Sequence, residues 1–519
     1  MSRKEIRFWL IFVLLNTLLF LPRYIIEIDT STFFPRLLPP KGEAFQAGRI
    51  IFRRFNYDLF RVSIDLLLIT VIYFLLGKKI NSRIASWIAG AYYLIILLFL
   101  VYYNAFEKIY IVKPLLLSDL YMLKLAFFNV GSSNLFLLII LPLGLFTLYL
   151  LSRYAFLHYF RVIENLKPGR ISWSVFGALL FFYFLNIVSH GMTITPSHVY
   201  QLTGALITDN FMLSAKAAES TLPDKLKSGE AKYAYGKYHL AETPDIYMIM
   251  VESYGNIVNR DSNLTKPYTQ LISRCISDLG KAGWSVTSSL STSPVSGGKS
   301  WLAFTSVLYG VRVSDQGTYL NMLKSYKSVE YTHLARYLHH QDYGIYWLNA
   351  LPNRKEITIP WDLYTDFYGV DHWILDSDMN YTGERYGFGP SPPDQYSLNY
   401  ARDYMGRDKN PHFLFFITQN SHSPFAAPLT VEKDWRALNN NPMSNIPKPE
   451  FLKKPVLEDY LNAIAYELKF ITDFIINDTS GKSVYIVLGD HQPPVLTGHS
   501  SGFETPLHII SKDEKFVKG

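Results

Sequence analysis

Five apolar runs crowd into the first 190 residues of this 519-residue chain, and they restrict its fold more than any other feature. They extend from Phe8 to Ile26, Val62 to Leu76, Ile84 to Tyr103, Leu135 to Leu151 and Ile171 to Val188. A hydrocarbon core of ~30 Å takes ~20 helical residues to cross, so these runs read as membrane-spanning helices. The first follows Arg3, Lys4 and Arg7 in the manner of a signal peptide. It has no small-residue cleavage site and ends in Leu21-Pro22-Arg23-Tyr24, which predicts an uncleaved anchor.

Basic residues resist translocation, so short loops rich in Lys and Arg stay inside. The amino terminus, the Lys78-Lys79-Arg83 turn and the loop carrying Arg153, Arg161, Lys167 and Arg170 fall on one side if there are five spans. That places the amino terminus in the cytoplasm and everything after Val188 outside. Arg49, Arg53, Arg54 and Arg61 argue back from the other side. They alternate with Ile50, Ile51, Phe52, Phe55, Tyr57 and Phe60, a pattern that fits an interfacial segment and equally a plain basic loop. Asp65, near the outer end of the second run, is read as structural, because a carboxylate there must face a bundle or a cleft. Lys113-Pro114 interrupts the apolar stretch Ile109 to Phe128, which predicts a short interfacial or re-entrant helix instead of a sixth span.

A polar, helix-forming stretch from Thr193 to Leu240, with Ala215, Ala217, Ala218, Lys225, Lys227 and Lys232, reads as a linker. From Thr243 onward short apolar runs alternate with helical ones, the signature of an α/β domain. The expected strands are Ile246 to Val251, Trp284 to Leu290, Gly344 to Leu348, Phe413 to Thr418, Val484 to Leu488 and Leu507 to Ile510, and the expected helices include Trp301 to Leu308 and Leu457 to Ile476. The predicted organisation is a five-helix transmembrane domain over residues 1–190, a partly helical linker over 191–242 and an extracytoplasmic α/β domain with a mostly parallel sheet over 243–519. The formal net charge of +7 does not point to nucleic acid, because the basic residues cluster at the ends of apolar runs. The single cysteine, Cys275, excludes an internal disulfide.

In open α/β sheets the chemistry collects beyond the carboxyl ends of strands. Glu252 directly follows the apolar run Ile246 to Val251, a costly place for a charge unless something positive meets it. Val484 to Leu488 ends in Gly489-Asp490-His491, one oxygen and one nitrogen ligand for a divalent ion; together with Glu252 they point to a site of the Zn or Mn type. Ser296-Gly297-Gly298-Lys299-Ser300 opens a predicted helix, and a hydroxyl at that end is readily made nucleophilic by a metal. Its competitors are a helix-capping serine and a P-loop; the P-loop's first glycine falls at Ser293. The run Phe413 to Thr418 delivers His422, a candidate proton donor or phosphoryl stabiliser. Gly498-His499-Ser500-Ser501-Gly502 matches the nucleophile elbow of serine hydrolases without its strand and helix, though His499 remains a candidate contact.

Glu252, Gly298-Lys299-Ser300, His422 and Gly489-Asp490-His491 behind several spans resemble the membrane-anchored branch of the alkaline phosphatase and sulfatase superfamily, notably lipoteichoic acid synthases and phosphoglycerol or phosphoethanolamine transferases. The resemblance covers nearly the whole chain in layout and is sharp only in these motifs. It implies that Glu252, Ser300, Asp490 and His491 hold one divalent metal, Mn or Zn with Mg as a third option. Ser300 stands where the nucleophile is usually threonine. Lys299, Trp361, His422 and His499 are the implied substrate contacts; Trp361-Asp362-Leu363-Tyr364 lacks the arginine of the segment it matches. No arginine stands in register after Ser291-Thr292-Ser293-Pro294, which disfavours a sulfatase.

The implied reaction is transfer of a phospho-headgroup from a membrane phospholipid to an extracytoplasmic glycan, lipid or polymer through phospho-Ser300, at the cell membrane. A membrane-anchored phosphodiesterase, phosphatase or sulfatase-type hydrolase is the enzymatic alternative. A metal-free sensor is the non-enzymatic one, and a single intramembrane carboxylate does not favour a transporter.

Overall fold

A computed structural model describes residues 2–26, 61–76, 79–110, 112–120, 135–166, 169–189, 199–228, 235–326, 331–352, 361–440 and 456–518, apart from positions 388, 429, 495 and 498–500. The chain divides into two compact units, residues 1–108 with 113–215, and residues 109–112 with 216–519.

The first unit is helical: α1 (Arg3–Ile26), α2 (Ile64–Leu76), α3 (Ser82–Tyr110), α4 (Leu135–Glu164), α5 (Arg170–Ser189) and α6 (Thr203–Ala218). Phe8, Phe12, Leu15 and Leu19 repeat at helical spacing along α1 and are buried with Phe156, Tyr159 and Phe160 of α4. Among the described residues, Arg3–Ile26, Ser82–Tyr110 and Ile139–Glu164 are long and apolar enough to cross a membrane. The second expected span is a shorter apolar helix, Ile64–Leu76, and the fifth, Ile171 to Val188, lies within the 20-residue α5. Thirteen residues in α2 reach only about 20 Å. The backbone before it forms a two-residue strand instead, β1 (Val62–Ser63), parallel to β2 (Tyr200–Gln201). Asp65 supplies the reason. Its Oδ2 accepts from the Thr203 amide at 2.6 Å and its Oδ1 from the Gly204 amide at 2.9 Å and the Tyr92 hydroxyl at 2.5 Å. The carboxylate therefore satisfies the open N–H groups at the start of α6. Arg49, Arg53 and Arg54 lie outside the described residues, as does Ile109 to Phe128 beyond position 120.

The second unit is built on a seven-stranded sheet. Its strands are β3 (Ile246–Val251), β4 (Ser285–Thr292), β5 (Gly344–Asn349), β6 (His372–Leu375), β7 (His412–Ile417), β8 (Val484–Gly489) and β9 (Glu504–Ser511), in the order β4-β9-β8-β3-β7-β5-β6. All pairings are parallel except those of β9, which runs antiparallel to both neighbours. β3, β7 and β8 are continuous apolar runs because they lie at the centre with helices on both faces. One face carries α7 (Ser262–Lys281), α11 (Asp394–Met405) and α12 (Leu457–Ile476); the other carries α8 (Ser300–Tyr309), α9 (Gln316–Tyr326) and α10 (Trp361–Tyr368). The strand β6, on the edge of the sheet, is absent from the strands expected on sequence grounds.

Candidate metal and nucleophile site

Register does most of the assembly. In the parallel pair β3 and β8, Val251 lies opposite Gly489, so the next residues, Glu252 and Asp490, emerge side by side. Gly489 has to lack a side chain: a Cβ there would collide with the Tyr254 carbonyl oxygen. On the other flank of β3, Met250 lies opposite Ile417 of β7, and the Thr418 hydroxyl accepts from the Glu252 amide at 3.0 Å. The loop that leads into Ser300 is tied to the β8 exit. Gln492 N–H donates to the Ser296 carbonyl at 2.9 Å, and the Ser293 hydroxyl donates to the Asp490 carbonyl at 2.5 Å. Lys299 then adopts a left-handed backbone (φ 60°) as the cap residue of α8, which makes Ser300 the first residue of that helix.

The outcome is a compact cluster. Ser300 Oγ donates to Glu252 Oε2 at 2.9 Å and lies 3.2 Å from His491 Nε2. His491 Nε2 is 3.1 Å from Asp490 Oδ2 and 3.5 Å from Glu252 Oε1. Glu252, Asp490 and His491 each offer a ligand atom within 4.8 Å of the others, and all three are buried. His491 Nδ1 donates to the Gln492 carbonyl at 2.8 Å, which leaves the Nε2 lone pair turned into the cluster. Ser253 is also part of it. Its hydroxyl donates to Glu252 Oε1 at 2.9 Å, and its amide, from a residue held at φ 60°, donates to Asp490 Oδ1 at 2.7 Å.

These residues fit a divalent cation. Asp490 Oδ2 is buried with no hydrogen-bond partner, and it faces a histidine lone pair and a second carboxylate. Burial, and then the charge of Glu252, push the Asp490 carboxyl well above the usual carboxylate range. A cation among two carboxylates, an imidazole and a hydroxyl would relieve both effects, and this mixed oxygen and nitrogen set is suited to Zn or Mn. His422 is half-buried; its Nδ1 donates to the Ser423 carbonyl at 2.8 Å. Burial and then the nearby His491 lower its pKa and keep it neutral.

The other expected contacts are placed less uniformly. Lys299 is buried at the start of α8, next to Ser300. Trp361 stands elsewhere: its ring packs on Trp373 of β6 and on Tyr364, three strands from β3. The apolar face of α10 claims it. His499 lies outside the described residues, and the G-x-S-x-G pattern runs into strand β9, where an elbow requires a helix. Ser253 and Thr418 are not among the residues expected from sequence, although Ser253 directly follows Glu252 and Thr418 ends an apolar run.

No family model and no curated protein matches the sequence. Solved structures similar to it include the lipoteichoic acid synthase LtaP from Listeria monocytogenes (18% identity, 52% of this chain and 66% of that one, TM-score 0.37). The chain thus spans just under two thirds of that protein's length. It is also similar to the zinc complex of the periplasmic domain of EptC from Escherichia coli (11% identity, 53% of this chain and 75% of that one, TM-score 0.35). A third is the integral membrane lipooligosaccharide phosphoethanolamine transferase A from Neisseria meningitidis (11% identity, 97% of this chain and 87% of that one, TM-score 0.40). These neighbours come from the group that the motifs resemble. An apolar helical unit followed by a mostly parallel α/β unit is the architecture of this chain.

Proposed function

We propose that this protein is a membrane-anchored, metal-dependent phosphotransferase that moves phosphoglycerol or phosphoethanolamine from a phospholipid to an extracytoplasmic glycan, lipid or polymer through a phosphoester on Ser300. The observation that carries this reading is the position of Ser300 Oγ, at a helix amino terminus and within hydrogen-bond distance of both Glu252 and His491. Glu252, Ser300, Asp490 and His491 would hold the metal, which when bound supplies positive charge to acidify the hydroxyl and neutralise phosphoryl oxygens.

The residues themselves do the rest. The Ser300 proton departs along its hydrogen bond to Glu252 Oε2, and the positive end of α8 favours the oxyanion left behind. The Ser300 Oγ–P bond forms, the bond from phosphorus to the glycerol oxygen of the lipid breaks, and diacylglycerol leaves in the bilayer. His422 is neutral at rest. An anionic phosphodiester beside it raises its basicity, so that Nε2 takes up a proton and passes it to the leaving oxygen. In the second half, Nε2 takes the proton of the acceptor hydroxyl as that oxygen attacks phosphorus, and the Ser300 oxygen is released and takes back a proton from Glu252.

The test is mass spectrometry of the intact protein after incubation with phosphatidylglycerol or phosphatidylethanolamine. The expected result is a phospho-headgroup increment on Ser300, absent from Ser300→Ala. Turnover retained by Ser300→Ala would remove it from the mechanism. Free headgroup phosphate as the sole product would make the enzyme a hydrolase.

A further inference from the structure

We infer that Asp394 and Glu467 share one proton and, as a carboxylate and carboxylic acid pair, act as the positioning element for His422 and Glu252. This deepens the function proposed above and rests on it only for its effect on turnover.

Asp394 is the first residue of α11 and Glu467 lies in the middle of α12; both are 0% exposed. The two carboxyls lie within interaction distance of each other, and their chain neighbours are joined, the Gln395 amide donating to the Tyr466 hydroxyl at 3.4 Å. Asp394 Oδ1 and both Glu467 oxygens are buried with no hydrogen-bond donor to meet them. Two carboxyl groups can bond to each other only with a proton between them, and two bare charges in a water-free interior repel strongly. Among the described residues, no lysine, arginine or histidine pairs with either one. The charged neighbour acting on Asp394 is Glu252, a further negative group; Tyr466 and Tyr386 are the other titratable groups about the pair. Burial pushes both carboxyls up, aided at Glu467 by the charge of Asp394 and at Asp394 by that of Glu252.

The charge stays on Asp394, because its Oδ2 accepts from the Gln419 amide at 2.7 Å and the Asn420 amide at 2.6 Å. Asn420 returns the contact, its Oδ1 accepting from the Asp394 amide at 2.8 Å. The Ser421 amide lies beside Glu467. Two consecutive amides thus donate to the buried pair, with Ser421 beside it, and the next residue is His422. Within the same turn the Thr418 hydroxyl accepts from the Glu252 amide and is bonded to the Ser421 hydroxyl at 3.1 Å. The pair thereby holds the loop that carries His422 on one side and braces the backbone of Glu252 on the other. A neutral pair would loosen those amides, and a doubly charged one would repel itself apart.

The experiment compares Glu467→Gln, which keeps a neutral hydrogen-bond donor, with Glu467→Leu, which does not, in the full chain with its membrane unit. With a fluorescent phosphatidylglycerol, Gln is expected to keep kcat within about threefold and to lose the alkaline fall that the wild type shows as the pair sheds its proton, whereas Leu is expected to lose about 10²-fold in kcat with little change in KM, the cost of a misplaced reacting group. Infrared difference spectra of wild type minus Glu467→Gln should show the carbonyl stretch of a protonated carboxyl, and the Gln419 to Ser421 amides should exchange faster in Leu than in Gln. No such band, or a Leu variant with wild-type kcat and exchange, overturns the inference. If the wild type turns over no phosphodiester, the proposed function fails, while the infrared band and the exchange rates still decide the pairing and its hold on the loop.

Discussion

Removing the Ser253 hydroxyl probes the site without replacing a proposed ligand or the proposed nucleophile. That hydroxyl donates to Glu252 Oε1 at 2.9 Å in a buried environment. A hydrogen bond to a charged group contributes about 1.5–3 kcal/mol. If it orients the Glu252 carboxylate, its loss in Ser253→Ala should weaken Mn or Zn binding by about 10- to 100-fold, the range seen when an outer partner of a metal ligand is removed. The backbone separates this effect from strain. Ser253 sits at φ 60°, where a side chain costs about 1–2 kcal/mol that glycine does not incur. Ser253→Gly should therefore lose the same ion affinity while its metal-free form melts above that of Ser253→Ala. In both variants the Ser253 amide still donates to Asp490 Oδ1. The assay is isothermal titration of the metal-stripped full chain, with melting curves for each form. Ala and Gly variants that bind the ion as tightly as wild type would refute the argument that this hydroxyl orients Glu252.

Three further perturbations have defined outcomes. Gly489→Ala should destabilise the chain by at least the ~1–3 kcal/mol of an overpacked core, because its Cβ would collide with the Tyr254 carbonyl oxygen; an unchanged melting temperature would contradict the close approach. Asp65→Ala should cost about 1–2 kcal/mol by freeing the Thr203 and Gly204 amides at the start of α6, read as a lower melting temperature in detergent, with Asp65→Asn milder. Burial lowers His333 to about 3, aided by the Arg336 charge, and burial alone lowers His508 to about 4, so the unfolded chain binds protons first as pH falls below about 6.5. Stability contributed by the neutral histidines is complete above that value and lost on acidification towards their folded values. The buried carboxyls act in the opposite sense, so the difference between wild type and His333→Gln/His508→Gln isolates the histidines; a difference in melting temperature that stays flat from pH 7 to 4 would contradict the assignment.

Much of the second unit was legible because its cues are local. Six apolar residues followed by Glu252, and five followed by Gly489-Asp490-His491, announce central strands with polar exits, and β3 and α12 have the expected bounds. The edge strand β6 was not legible: four residues, His372–Leu375, carry too little pattern, and pairing with β5 defines it. The second apolar run likewise has the composition of a span, yet its helix is only 13 residues long. Hydropathy reports what a segment tolerates around it, and the Asp65 cap on α6 helps fix where α2 begins.

Sequence alone determined which residue types were available for chemistry and where strands would expose them, since alternation, capping and apolar runs act over a few neighbours. Tertiary structure decided which of those residues meet. The register of β3 against β8 sets Glu252 beside Asp490, and the loop bonded to Gln492 brings Ser300 to them. Packing on Trp373 takes Trp361 to the sheet edge. The fold also buried Asp394 against Glu467, residues 73 positions apart that look like ordinary surface acids in the chain. Burial and charge pairing are properties of a position in space, and a linear pattern carries no record of them until the sheet has closed.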